Sequence, residues 1–125
     1  MSEKTFIKVK SQFVGFHRYV NAPDEVAFLR NPHRHIFHVT ARIEVFHDDR
    51  ELEFFLVKKE IGKFIDGYTF ANKQNLGSCE MMAQSFVRQI RSLYGLNREI
   101  CVEVSEDGEN SAEVWFCPSD EEIKQ

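Results

Sequence analysis

The chain has 125 residues, 42% of them hydrophobic, and a formal net charge of -4. Those values describe one domain, residues 1–125, large enough to bury its own core and too short for a second. Lysines and arginines are scattered and no run approaches the roughly 20 apolar residues that span a bilayer, so neither nucleic acid nor membrane is an expected partner.

The first residues, Met1-Ser2-Glu3-Lys4, hold no apolar core of signal-peptide length, and a cytoplasmic location is expected. Cys79, Cys101 and Cys117 are odd in number and widely spaced, which fits buried thiols better than a disulfide framework or a zinc ribbon.

From Thr5 to Phe16 the chain mixes alternation with β-branched and aromatic residues, the pattern of a half-buried strand running into His17. Residues 18–32 have no sustained period and read as a loop. A second strand is predicted from His33 to Phe46. After the turn signal His47-Asp48-Asp49-Arg50, apolar residues at Leu52, Phe55, Leu56, Ile61, Phe64 and Ile65 recur at helical spacing, and Gly67 is expected to end that helix. Ser78 stands where an N-cap should, ahead of a second helix that Gly95 stops. Two more strands follow, Glu99 to Ser105 and Ala112 to Phe116, and a polar tail from Ser119 is expected to fray. The order β-β-α-α-β-β predicts an α+β domain, a four-stranded antiparallel sheet with two helices on one face. Its edge strands and twelve phenylalanines suggest an oligomer that joins sheets edge to edge.

Side chains two apart on a strand share a face, so His33 and His35 can approach one metal ion, and His17 can complete a three-imidazole site if the first two strands pair. Three nitrogen ligands leave one tetrahedral position open, the arrangement of catalytic zinc. His38 falls on the opposite face and reads as structural, and His47 reads as a turn residue. Ser78 reads as a helix cap, and Glu80 as a carboxylate favoured by the helix dipole.

Five separated segments resemble the 6-pyruvoyl-tetrahydropterin synthase and 6-carboxytetrahydropterin synthase family, whose tunnelling fold (T-fold) has this element order. Phe16-His17-Arg18 is similar to the family's Ala-His motif, and His33-Arg34-His35-Ile36-Phe37 to its His-Gly-His-Xaa-Tyr/Phe motif. Leu52-Glu53-Phe54-Phe55-Leu56-Val57-Lys58 resembles its first helix start, with Glu in place of Asp, and Gly77-Ser78-Cys79-Glu80-Met81-Met82-Ala83 the Pro-Thr-Ser-Glu-Asn-Leu-Ala that opens its second. Val102-Glu103-Val104-Ser105-Glu106 with Ala112-Glu113-Val114 resembles its last hairpin.

The resemblance implies Zn2+ held by His17, His33 and His35, with Glu106 anchoring a pterin ring and Ser78 and Glu80 beside it. It implies a lyase that releases triphosphate from 7,8-dihydroneopterin triphosphate, and, in the carboxy enzymes of the 7-deazaguanine route to queuosine, also acetaldehyde. It further implies a homo-oligomer, a hexamer of paired trimers with pockets between subunits. The chain departs from the family at the proton carriers. Residues 18–32 hold no cysteine, so Leu29 or a near neighbour stands where the family has its base. The family's Asp-His pair matches Asp66-Gly67, which leaves Asp66 alone; it also reads as a turn or helix-end residue. Three readings stay open: a diverged lyase with a substitute base such as Glu25, Asp24 or Tyr68, an enzyme of different reaction on a pterin or purine, and a non-catalytic relative that binds a ligand or partner.

Overall fold

The computed structural model describes residues 3–118; the polar tail from Ser119 lies outside them. Strands β1 (Thr5–His17), β2 (His33–Val45), β3 (Ile100–Glu106) and β4 (Ser111–Phe116) form one antiparallel sheet in the order β1-β2-β3-β4. Helices α1 (Phe54–Asn72) and α2 (Cys79–Tyr94) lie between β2 and β3 in sequence. The order β-β-α-α-β-β and the α+β class are as the sequence predicts.

Alternation decides which residues meet the helices. Phe37, Val39, Ala41 and Ile43 of β2, Val9 of β1 and Ile100, Val102 and Val104 of β3 all face inward and are buried. They join Val57, Ile61 and Ile65 of α1 and Met82, Ala83, Phe86, Val87 and Ile90 of α2 in one apolar core. The spacing of the helical residues is that of a single buried stripe on each helix. On the opposite face the guanidinium of Arg42 lies between the rings of Phe6 and Trp115, 4.5 and 4.4 Å from their centroids.

Two elements and one cysteine differ from expectation. Residues Asp24–Arg30 form a short 3-10 segment, broken at Val26, inside what reads as a loop. Helix α1 continues through Gly67 to Asn72, because Gly67 is exposed and the buried Ile65 and half-buried Tyr68 on either side keep this turn against the core. Glu53 caps its start, accepting from the backbone N–H groups of Phe55 and Leu56. Cys79 and Cys101 are buried as expected, whereas Cys117 is exposed. No helix among the described residues is long and apolar enough to cross a membrane.

The connection between the helices is drawn onto the end of β1. A Cβ on Gly15 would stand 2.4 Å from Cδ1 of Leu76, so glycine is what allows this approach. Leu76 is buried, its N–H donates to the Phe16 carbonyl at 3.0 Å, and its carbonyl accepts from the Tyr68 hydroxyl at 2.5 Å. Asn75 accepts from the N–H of Arg18 at 3.2 Å. Residues 75–78 are thereby fixed against the histidine that ends β1.

Candidate metal centre

His17 stands directly opposite His33 in the β1–β2 register, and Gly15 opposite His35. Glu106 stands opposite Phe37 on the other side of β2. Alternation sends His17, His33, His35 and Glu106 to the helix-covered face, at the end where the helices no longer fill it. Phe37 forms the floor, its ring centroid 5.2 Å from that of His17 and 5.6 Å from that of His35.

Each imidazole has its Nδ1 engaged by an acceptor. His17 Nδ1 donates to the Gly77 carbonyl at 2.9 Å, His33 Nδ1 to the Asn31 carbonyl at 2.9 Å, and His35 Nδ1 to Oδ2 of Asp107 at 2.7 Å. A neutral ring that donates through Nδ1 carries its lone pair on Nε2, so all three rings are set as Nε2 ligands. One ligand atom from each histidine and one carboxylate oxygen of Glu106 lie within 4.8 Å of one another, a set that could hold a metal ion. Donors on a tetrahedral zinc stand about 3.3 Å apart, given bonds of roughly 2.0–2.1 Å, so these side chains have to adjust to close around an ion.

The least satisfied atom in the cluster is Nε2 of His17. It is buried without a hydrogen-bond partner, yet it lies 2.9 Å from Oε2 of Glu106. Burial, the largest influence on this ring, lowers its pKa, while the Gly77 carbonyl and the Glu106 carboxylate act in the opposite direction. The same Oε2 is 3.8 Å from Nε2 of His35. These side chains form a set that could hold a metal ion.

A cavity of about 620 Å3 opens beside the cluster, lined by His17, His33 and Glu106 together with Arg18, Tyr19, Leu29, Ser78, Cys79 and Glu80. Its volume is that of a small-molecule site. Ser78 both lines it and caps α2, accepting from the N–H of Met81 at 3.1 Å. Glu80 is exposed in the first turn of α2. Burial, followed by the charges of Glu106 and Glu80, pushes the Cys79 thiol up to about 11.

The structure does not bring Asp66 or Glu25 to this cavity. Asp66 is exposed on α1 and lines a separate groove along the β1 edge with Lys10, His38 and Lys58. Glu25 is exposed in the 3-10 segment. The other suggested bases, Asp24, paired with Arg30, and Tyr68, hydrogen bonded to Leu76, do not line the cavity either. Asp107, Asn31 and Gly77 were invisible as site residues, because two act through backbone carbonyls and the third reads as the turn of a hairpin. No protein-family model matches the chain, and no curated protein matches it.

Proposed function

We propose that the chain is a zinc-dependent lyase resembling the tetrahydropterin synthases, acting on 7,8-dihydroneopterin triphosphate or a related pterin. The observation that carries this reading is the convergence of three Nε2 atoms, each ring held by an acceptor at Nδ1, beside a cavity of about 620 Å3. Zinc bound by His17, His33 and His35 would polarise the side-chain hydroxyls of such a substrate and make protons on neighbouring carbons removable.

The other roles belong to the chain. Glu106 lines the cavity, and a carboxylate there can accept two parallel bonds from the amino group and ring N–H of a pterin. Ser78 and Glu80 border the same space. Burial and the charges of Glu106 and Glu80 push the Cys79 thiol up, which disfavours it as a base. A proton carrier from Asp66 or Glu25 has to come from a second copy, which fits a homo-oligomer assembled through β1 and β4, the edge strands among the described residues.

Leu29 favours a second reading, in which zinc and ring binding persist without the elimination. Leu29 lines the cavity, and by the resemblance it or a near neighbour stands where the family has its cysteine. The deciding experiment measures zinc content, pterin binding, and release of triphosphate and acetaldehyde from 7,8-dihydroneopterin triphosphate. Release with full zinc occupancy supports the lyase. Ring binding without release, with release gained by Leu29→Cys, supports the second reading. Loss of both zinc and ring binding removes both.

A further inference from the structure

We propose that Asp107 is the positioning residue of the metal centre, fixing the tautomer and orientation of His35 and thereby the affinity of the histidine trio for its ion. The inference rests on reading His17, His33 and His35 as ligands. The three rings are held differently. His17 and His33 donate to main-chain carbonyls, of Gly77 and Asn31, which no side-chain substitution removes. His35 alone donates to a side chain, Oδ2 of Asp107 at 2.7 Å.

Asp107 is itself held from three directions. Its Oδ1 accepts from the N–H of Ile36 at 2.8 Å, and its own N–H donates to the Ile36 carbonyl at 2.7 Å. Both carboxylate oxygens are therefore committed to consecutive residues of β2, which leaves the His35 ring little freedom to turn. The backbone at Asp107 is left-handed, with φ 56, and Gly108 follows at φ 75. Aspartate and asparagine tolerate that region better than most residues with a Cβ. The turn places the carboxylate behind the ring, on the side away from Glu106. A carboxylate in that position fixes the ring and raises its basicity as a ligand, and loss of such partners weakens metal binding about 10–100-fold.

Asparagine separates this role from turn formation. If its oxygen keeps the bond from Ile36, its amide N–H₂ faces Nδ1 of His35 and forces a proton onto Nε2, where the ion must bind. If the amide is turned the other way, its N–H₂ meets the Ile36 N–H. Glycine also accepts φ 56 and removes the carboxylate outright.

The test compares wild type, Asp107→Asn and Asp107→Gly by zinc competition against a chromophoric chelator, by the visible spectrum of the Co2+ form, and by circular dichroism of the metal-free proteins. Both variants are expected to retain the wild-type fold, to bind zinc about 10–100-fold more weakly, and to shift the Co2+ bands. Zinc affinity and Co2+ bands unchanged in both variants would overturn the positioning role while leaving the metal reading intact. Failure of wild type itself to bind zinc, with His33→Ala indistinguishable from it, would overturn the metal reading and this inference with it.

Discussion

Whether a histidine can bind a metal through Nε2 depends on what its Nδ1 is doing, and here all three Nδ1 atoms are occupied by acceptors. Removing any one ring leaves two nitrogens and a carboxylate. His17→Ala, His33→Ala and His35→Ala are each expected to lose stoichiometric zinc, while His38→Ala, on the opposite face of β2, is expected to keep it; elemental analysis after gel filtration checks both. Gly15→Ala acts on the same ring indirectly. Its Cβ would meet Cδ1 of Leu76 at 2.4 Å and the Phe37 ring at 3.3 Å, so Leu76, next to the Gly77 carbonyl that holds His17, must move. A loss of about 1–3 kcal/mol in urea unfolding is expected from such overpacking, together with weaker zinc binding. The trio was legible in the sequence because two periodicity arguments place it: a spacing of two on β2, and antiparallel pairing with the end of β1. Asp107 was not, since its bond to His35 spans 72 positions and depends on a left-handed turn that residue types alone do not specify.

Among the elements, α1 shows where local preference and tertiary packing part. Gly67 reads as a terminator, yet Ile65, Tyr68 and the Thr69 hydroxyl bond to the Ile65 carbonyl carry the helix past it. A Cβ at Gly67 would meet nothing within 4 Å. Gly67→Ala is therefore expected to stabilise the protein by about 0.5–1 kcal/mol, seen as a higher urea midpoint at unchanged slope. The long strands and both helices were legible because each repeats its period for several turns or pleats. The 3-10 segment was not: it is seven residues long, kinked at Val26, and contributes no buried residue from which a period could be read. Leu29 near its end nevertheless forms part of the cavity wall, so the least regular element helps to shape the cavity.

For the molecule as a whole, the far end of the sheet is tied by ions rather than by imidazoles. Glu99 is buried and accepts from Lys4 and from Nε1 of Trp115, the latter at 3.0 Å. The bond from Lys4, ahead of that from Trp115, holds its carboxyl below the ordinary 4.5. The Phe46 N–H, followed by Arg98, does the same for Glu51, whose ordinary value is also 4.5. A carboxyl whose folded pKa is depressed stabilises the fold above its unfolded value and loses that contribution as pH falls through the folded one. Unfolding midpoints are thus expected to hold near neutrality and decline below about pH 4.5. The decline should be shallower in Glu99→Gln, and urea titrations across pH 3–7 read both.

The register that sets His17 against His33 also closes the mouth of the β1–β2 connection, residues 18–32, and Glu106 reaches the same point from a strand much later in the chain. An ion shared by the three histidines would work as a removable cross-link, tying the end of β1 to the start of β2 much as a disulfide would. Folding and metal supply then become one equilibrium: at a free metal concentration 100 times the dissociation constant, the native state gains about 2.7 kcal/mol by mass action. A chelator would act on this protein as a mild denaturant, and its measured stability would report how much metal its surroundings leave free.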